Sequence, residues 1–289
     1  MVFFDYMEEQ IISSTQNPKI KRLLLLQQKS QERRKQGVFV VEGRRELEHC
    51  IEAGYEVESA FVSVECRVES VEFATALQSQ LRTAVANSQL STLNSQFYTV
   101  TPQVYERIAY RGSTEGIMAI VRAKSHRLED LQLRDNPLIM VLESVEKPGN
   151  LGAVLRSADA AQADAVIVCD PLTDLYNPNL IRSSIGAIFT VPTVVCTSEA
   201  CIAFLQQRGI QILTAQLQDS SLYYDTPMTG PTAIVMGTES TGLTDQWRRA
   251  ATAHIRIPML GRLDSLNVSV SAAILLFEAV RQRQAHIHA

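Results

Sequence analysis

The chain has 289 residues, of which 46% are hydrophobic and 20% are charged, and its formal net charge is −4. This is enough for two domains of a water-soluble globular protein, and no apolar run approaches the roughly 20 residues of a membrane span. The N-terminal stretch lacks the basic and apolar regions of a secretory signal, and the five cysteines contain no C-x-x-C pair. We therefore expect a cytoplasmic protein with buried free thiols, without a disulfide framework and without a metal site.

Charge is unevenly distributed in the first part of the chain. Residues 19–45 contain nine lysines and arginines against two glutamates, whereas residues 46–72 contain eight glutamates and one arginine. A basic face can bind the phosphates of a nucleic acid even when the net charge of the protein is negative. Charge runs of this kind also occur on ordinary solvated helices, so the charge pattern alone leaves both interpretations open.

The first 123 residues predict a compact α/β domain. A helix is expected over residues 17–37, because Asn17 can cap its first turn, Pro18 suits that turn and Gly37 can end it. Alternation of apolar patterns predicts the elements that follow. These are strands at 38–43 and 57–64, helices at 44–54 and 71–86, and strands at 97–100 and 115–123.

A polar segment at residues 124–137 ends in Asn-Pro and predicts a domain boundary. Beyond it the strands become continuous apolar runs, which are typical of a parallel sheet with helices on both faces. The predicted strands are 138–142, 165–169, 193–195, 210–215, 232–236 and 254–258. The predicted helices lie near 151–161, 178–187, 198–208 and 243–250, with a final helix within 263–284.

Three of these strands are followed by polar loops that contain glycine. The loops are ESVEKPGNLGAVLRSADAA after 138–142, GTESTGL after 232–236 and MLGRLDSLNVS after 254–258. Ligands of parallel sheets bind beyond the carboxyl ends of the strands, so the three loops predict one ligand pocket. None of the loops has the spacing of a dinucleotide-binding G-x-G-x-x-G motif, a P-loop or a G-x-S-x-G nucleophile elbow.

Three segments resemble, in the same order, the motifs of the SpoU/TrmH family of RNA ribose 2′-O-methyltransferases, within the SPOUT superfamily: PGNLGAVLRSADAA, VMGTESTGL and IPMLGRLDSLNVSVSAAILLFEA. Three earlier segments are similar to the family's small substrate-binding domain, which is related to a ribosomal-protein RNA-binding fold: ISSTQNPKIKRL, FVVEGRRELEHC and EGIMAIV. The resemblance implies an RNA substrate-binding domain at 8–123 and a SPOUT methyltransferase domain at 137–289.

The family's properties give the expectations for fold and activity. The resemblance implies an α/β fold whose C-terminal parallel sheet carries a trefoil knot, a bent S-adenosylmethionine in the pocket, and a homodimer with the pocket close to its interface. The implied reaction is methyl transfer to a ribose 2′-hydroxyl of structured RNA, with ribosomal RNA favoured and neither a membrane nor a metal as partner. The alternatives are a tRNA ribose methyltransferase of the same family, a SPOUT methyltransferase acting on a base, and a catalytically silent RNA-binding or ribosome-assembly protein.

The resemblance also assigns site residues. Catalytic positions fall on Asn150, Arg156, Glu239, Ser265 and Asn267, and cofactor contacts fall on Gly237, Ile257, Met259 and Leu266. Asn150 is expected in the loop before its helix with Arg156 reaching back, while Asn267 orients Arg156 or the ribose. Glu239 is expected to accept hydrogen bonds that fix the cleft. The simpler alternatives are an Arg156–Asp159 ion pair, a helix N-terminal carboxylate for Glu239, and a plain helix N-cap for Ser265 or Asn267.

Two roles remain open for Arg156. Within the family this arginine is proposed as the general base, yet a guanidinium has a pKa above about 12 and stays protonated in proteins. In the second role Arg156 binds the phosphate next to the target ribose and aligns it, while water or a phosphate oxygen takes the proton. For the RNA itself, candidate contacts in the N-terminal half are Asn17, Lys19, Lys21, Arg22, Arg33, Arg34, Lys35, Arg44, Arg45 and Arg111.

Overall fold

A computed structural model of the protein describes residues 11–65, 72, 76, 96–110, 116–238 and 241–287. The chain divides into two compact units, of which the first contains the residues up to Lys124 and also Tyr176–Arg182. The second contains Ser125–Leu175 and Ser183–Ala289. The division differs from the predicted boundaries in one respect, since residues 176–182 belong to the first unit. There Tyr176 stacks on Phe39 with ring centroids 4.1 Å apart, and its hydroxyl accepts a hydrogen bond from the Lys124 amide at 3.1 Å.

The described residues of the first unit form a mixed sheet with helices. Its strands are β1 (Ile11–Ile12), β2 (Val38–Glu42), β3 (Val57–Ser63), β4 (Gln96–Val100) and β5 (Ile117–Arg122). Its helices are α1 (Pro18–Gln28), α2 (Ser30–Gln36), α3 (Arg44–Glu52) and α4 (Pro102–Ile108). The strand order is β1-β4-β3-β5-β2, with β5 antiparallel to both of its neighbours and the other pairs parallel. The sequence patterns did not predict β1 and α4, and most of the helix predicted at 71–86 lies outside the described residues.

The single helix predicted over residues 17–37 is two helices. Lys29 between them is extended, with φ −116° and ψ 108°, whereas Asn17 and Gly37 cap the two ends as predicted. The break leaves carbonyl groups at the end of α1 without helical partners. Arg33 replaces those partners, because its buried guanidinium donates to the carbonyls of Leu26 at 2.6 Å and Gln27 at 3.1 Å.

The described residues of the second unit form a seven-stranded sheet and its covering helices. The strands are β6 (Leu138–Glu143), β7 (Ala165–Cys169), β8 (Thr193–Cys196), β9 (Gln211–Ala215), β10 (Ser221–Leu222), β11 (Thr232–Met236) and β12 (Ala253–Arg256). The helices are α5 (Pro148–Ala160), α6 (Pro178–Ser183, which begins in the first unit), α7 (Ala187–Thr190), α8 (Ser198–Gln207), α9 (Asp245–Ala250) and α10 (Val268–Ile287). Two single 3₁₀ turns lie at Leu128–Asp130 and Tyr223–Asp225.

The order of this sheet is β10-β12-β9-β11-β6-β7-β8, and every paired strand is parallel to its neighbour. The predicted parallel α/β architecture is therefore confirmed. In the sheet, β6 has β7 as its neighbour on one side and β11 as its neighbour on the other side. The direction in which the chain adds strands to the sheet therefore reverses between β6 and β11. Such a switch point opens a crevice at the carboxyl ends of the strands, where ligands bind.

The last helix begins at Val268, because residues 263–267 form the loop that leads into it. Its buried side packs through five apolar residues: Val268, Ala272, Leu275, Leu276 and Ala279. Near its end the Arg283 guanidinium donates to the carbonyls of Asn136, Pro137, Met228 and Gly230 at 2.8–3.1 Å. The helix thereby fastens the amino ends of β6 and β11 together.

In the described part of the chain no helix has the length and apolar character of a membrane span.

One buried carboxylate stabilises the start of β6. Asp164 has a side chain only 3% exposed, and it accepts hydrogen bonds from the Leu138 amide at 2.8 Å and from the Arg134 amide at 3.1 Å and guanidinium at 2.8 Å. Burial raises the pKa of Asp164, but these hydrogen bonds lower it by more than burial raises it. The pKa of Asp164 therefore lies below the usual value for an aspartate. A carboxyl whose pKa is lower in the folded state stabilises the fold above its unfolded pKa, and this contribution is lost as the pH falls through its folded pKa.

Replacing Asp164 tests this contribution. We expect Asp164→Asn to lower the free energy of unfolding at pH 7 by about 1–3 kcal/mol, because a buried charged hydrogen-bond acceptor is lost. The difference from wild type should narrow below about pH 3.9, where the carboxyl protonates in the unfolded chain. Asp130→Asn is the control, since its ion pair with Arg127 is exposed and its change should be much smaller. Equal effects of the two substitutions in urea titrations would contradict this account.

Candidate active site

A cavity of about 450 Å³ lies at the carboxyl ends of β9, β11 and β12. Its walls include the four residues that the resemblance assigned to the cofactor, Gly237, Ile257, Met259 and Leu266. Ser265, predicted as catalytic, lines the same cavity. The structure thus brings residues from two separate loops into one pocket, at the edge of the sheet where the sequence placed it.

Gly237 occupies a position that no other residue can fill without moving the backbone. A Cβ atom there would lie 2.2 Å from the carbonyl carbon and oxygen of Gly242 and 2.5 Å from the Leu243 nitrogen. The two ends of the loop are held this close because the Gly242 amide donates to the Thr238 carbonyl at 3.1 Å, and Gly242 itself has φ +67°. The bare backbone at Gly237 therefore forms part of the pocket wall, where a ligand can approach it closely.

Sequence reasoning missed one wall of the pocket. The loop after β9 contributes Gln216, Leu217 and Gln218. Gln216 donates from Nε2 to the Gln218 carbonyl at 2.9 Å, while its Oε1 is buried without a hydrogen-bond partner among the described residues. The sequence did contain a signal for this wall, because the polar residues QLQD directly follow an apolar strand. Ligands of parallel sheets bind beyond the carboxyl ends of the strands, and this applies to that strand as well.

Asn267 joins the third motif to the first. Its Oδ1 accepts from the Ser269 amide at 3.0 Å and the Ser269 hydroxyl at 2.6 Å, which caps α10. Its Nδ2 donates to Oδ1 of Asn150 at 3.2 Å. Asn267 thus caps the helix, as the simpler interpretation of this residue predicted. It also binds a residue that lies 117 positions away in the sequence. Among the described residues its amide donates to Asn150 and not to Arg156, and the expected role of Asn267 in orienting the ribose stays a prediction.

The first motif lies on α5 differently from the prediction. Asn150 is the third residue of the helix and not part of the preceding loop, and it also lines a smaller cavity beside Gly237 and Thr238. Arg156 is exposed on another side of α5, since six residues correspond to a rotation of about 120° away from Asn150. No hydrogen bond or ion pair joins Arg156 to any other described residue, so it does not reach back to Asn150. The alternative ion pair with Asp159 is also absent, and Asp159 instead accepts from Thr190 at 2.6 Å.

Two other predicted residues contribute less to the described geometry. Ser265 is exposed, and its hydroxyl donates only to Asp264 at 3.4 Å, so it makes no contact with Asn150 or Arg156 among the described residues. Glu239 lies outside the described residues.

A buried carboxylate that the sequence reasoning overlooked fixes the second motif. Glu143, at the end of β6, is 3% exposed and accepts from the Thr244 amide at 2.8 Å and the Thr244 hydroxyl at 2.7 Å. Thr244 directly follows the loop that contains Gly237 and Gly242. Glu143 therefore ties the far end of this loop to the strand that leads into α5 and Asn150.

The basic residues of the first unit separate into two groups. Arg33 must be removed from the predicted RNA contacts, because it is 5% exposed and its guanidinium binds the α1 carbonyls. Arg22 pairs with Glu58, Arg44 with Glu48 at 2.7 Å and Arg45 with Glu46 at 3.0 Å, while Asn17 caps α1. Of the predicted RNA contacts, four are exposed and form no ion pair within the described residues: Lys19, Lys21, Arg34 and Lys35. Arg111 lies outside the described residues.

The first unit also contains a cavity of about 250 Å³ that the sequence did not predict. Arg45, Gln27, Tyr110 and Arg182 line it. Nη1 of Arg182 is buried and has no hydrogen-bond partner among the described residues. No motif marks Arg182, because it follows β7 in the sequence and joins the first unit only through the Tyr176–Arg182 segment.

Comparison with known proteins identifies the two parts of the chain. Residues 137–277 match the model of the SpoU rRNA Methylase family, and residues 17–119 match that of the MRM3-like substrate binding domain. The 23S rRNA (guanosine-2′-O-)-methyltransferase RlmB of Photobacterium profundum is 40% identical over 178 residues, which are 60% of this chain and 73% of the relative.

Solved structures resemble both parts together. A crystal structure of an RNA 2′-O ribose methyltransferase is 37% identical with a TM-score of 0.79, and the alignment covers 95% of this chain and 99% of the other. The AdoMet-bound rRNA methyltransferase of Sinorhizobium meliloti is 26% identical with a TM-score of 0.82, covering 94% and 97% of the two chains. With the three motif loops gathered at one edge of a parallel sheet, these matches show that the chain belongs to the SpoU rRNA methylase family.

Proposed function

We propose that the protein transfers the methyl group of S-adenosylmethionine to a ribose 2′-hydroxyl of ribosomal RNA. The observation that carries this proposal is the Asn267–Asn150 hydrogen bond, which joins the first and third family motifs next to the cavity at Gly237. Relatives and neighbours named as 23S rRNA and rRNA methyltransferases support the reaction and the class of RNA.

The cavity suits S-adenosylmethionine. Its volume of about 450 Å³ lies in the usual range for small-molecule sites, and Ile257, Met259 and Leu266 supply apolar surface. The Oε1 of Gln216, which has no hydrogen-bond partner in the described part of the chain, can accept a hydrogen bond from an amino group of the cofactor. The bare backbone at Gly237 lets the ligand approach closely. When bound, S-adenosylmethionine supplies a methyl group that its sulfonium already activates.

Arg156 then acts on the RNA. Its exposed guanidinium, without an ion-pair partner among the described residues, is available to bind the phosphate next to the target ribose and to align the 2′-hydroxyl. In this role Arg156 is not the base, and water or a phosphate oxygen takes the hydroxyl proton. Binding a phosphate and fixing the ribose lowers the barrier through orientation.

The protein works as a homodimer in the cytoplasm, and its methyltransferase domain carries the predicted trefoil knot. Support for the dimer comes from apolar side chains left exposed, with Leu260 at 96%, Leu263 at 76%, and Val270 and Phe277 at 47% each. Val270 and Phe277 are seven residues apart and share one side of α10. Support for the knot comes from the segment after β12, which passes back over two strands of the sheet to place Asn267 beside Asn150.

Two experiments test this function. Isothermal titration calorimetry should show one S-adenosylmethionine bound per chain. Mapping of 2′-O-methyl groups should show one nucleotide of ribosomal RNA that loses its methyl group when the gene is deleted and regains it when the gene is restored. Unchanged ribosomal RNA together with a missing methyl group in tRNA, or no cofactor binding at all, would refute the proposal.

Asn267 offers a test that separates stability from activity. Asn267→Ser keeps an oxygen that can cap α10 but removes the longer amide whose Nδ2 reaches Asn150, so we expect near wild-type stability and roughly 100-fold slower methyl transfer. Asn267→Ala removes both interactions and should in addition lower the unfolding free energy by about 1 kcal/mol. Chemical denaturation and single-turnover rates measure the two effects. Full activity of the serine variant would show that the bridge has no role in positioning Asn150.

Arg156 can be tested with its nearest substitute. We expect Arg156→Lys to be nearly inactive, with the rate lowered at least about 100-fold, because a point charge cannot reproduce the planar, forked guanidinium. The affinity for S-adenosylmethionine should be unchanged in calorimetry, since Arg156 does not line the cavity. Substantial turnover by this variant would exclude both proposed roles of Arg156.

The RNA-binding role of the first unit can be tested by charge reversal. Lys35→Glu should weaken RNA binding roughly tenfold and reduce the slope of log affinity against log salt by about one, because one phosphate contact is lost. Arg208→Glu is the matched control, since it reverses a charge at the end of α8, the end that points away from the cavity. Filter-binding titrations at several salt concentrations give both quantities. Equal behaviour of the two variants would remove α2 from the RNA contacts.

A further inference from the structure

Three cysteines of the second unit form a cluster away from the cavity. Cys169 ends β7, Cys196 ends β8 and Cys201 lies in α8. The sulfur atoms of Cys169 and Cys196 are 4.0 Å apart, and all three sulfurs lie within 4.8 Å of one another. The resemblance to methyltransferases gives these residues no role.

The sheet register assembles the cluster. Cys169 and Cys196 are direct neighbours on adjacent parallel strands, and the first turn of α8 brings Cys201 back over them. Cys169 and Cys196 are 27 positions apart in the sequence, and Cys196 and Cys201 are 5 positions apart. The cluster therefore contains no C-x-x-C pair by which the sequence could have predicted it. The sequence-based expectation of no metal site rested on that missing motif, which a register contact does not require.

The spacing of the sulfurs suits a bound metal ion. An ion held in a plane by three thiolates at about 2.3 Å separates the sulfurs by about 4.0 Å. A disulfide would instead need a separation of about 2.05 Å.

The surroundings distinguish between metals. Cys169 and Cys201 are fully buried in a cluster of apolar side chains, and Cys196 is partly exposed, which leaves a path for an ion to enter. Among the described residues the group offers three ligands and no fourth. Structural zinc sites are almost always four-coordinate, whereas soft thiolates also select Cu(I), which does not require a fourth ligand here.

We propose that Cys169, Cys196 and Cys201 form a three-thiolate binding site for a soft metal ion, and that this ion is Cu(I). Each thiol that ligates gives up its proton as the ion binds, so uptake releases protons to the solvent. The ion joins β7, β8 and α8, and because the fold brings the three thiols together, binding there stabilises the second unit.

The experiment is an anaerobic titration of the reduced full-length protein with Cu(I) in competition with a chromophoric Cu(I) chelator. We expect one Cu(I) per chain, a rise in thermal stability that depends on the Cu(I) concentration, and an X-ray absorption spectrum with three sulfur neighbours at about 2.2–2.3 Å. Calorimetry in buffers of different ionisation enthalpy should detect the released protons.

Substitutions identify the ligands. Cys196→Ala, at the least buried position, should weaken Cu(I) binding at least about 100-fold while the chain stays folded by circular dichroism. Cys50→Ala is the matched control, because Cys50 is a buried thiol of the first unit outside the cluster, and it should bind Cu(I) like wild type. A wild-type protein that takes up no stoichiometric Cu(I), equal losses in both variants, or tighter binding of Zn(II) than of Cu(I) would overturn the proposal.

Discussion

The active site depends on the orientation of one side-chain amide. Asn267 uses its oxygen to cap α10 and its nitrogen to hold Asn150, so the cap determines which end of the amide faces α5. Aspartate would cap the helix as well but has no donor for Asn150, and a serine hydroxyl would lie one bond closer to the backbone than the Nδ2 atom that reaches Asn150. The requirement for both functions at one position explains why an asparagine stands at the start of the last core helix.

The loop of the second motif is fixed at both of its ends. Close contact between Gly237 and Gly242 fixes one side, and the buried carboxylate of Glu143 holds Thr244 on the other. Because Glu143 ends the strand that leads to Asn150, the first and second motifs share one rigid support. The third motif joins this support through Asn267, so the pocket is shaped by side chains on strands and helices and not by loops alone.

Much of the architecture was predictable from local patterns. Continuous apolar runs gave the parallel sheet, and glycine-containing segments after its strands gave the position of the pocket. The break at Lys29 was not predictable, because no glycine or proline marks it and the helical pattern continues into it, while the Arg33 guanidinium binds carbonyls that the break leaves at the end of α1. The spacing of six residues on a helix does place Arg156 on a different side of α5 from Asn150, but it did not show that Asn150 lies within the helix and not in the loop before it. Contacts set by register, such as Cys169 beside Cys196, leave no local pattern at all.

The contacts of Arg283 carry a consequence for how the protein is made. Chains emerge from the ribosome N-terminus first, and the first unit can fold while the rest is still being synthesised. The carbonyl groups at the starts of β6 and β11 receive their guanidinium only after Arg283 has been added. A nascent chain that stops before Arg283 therefore joins these two strands by their ladder alone, and their amino ends are fixed only after α10 has been made.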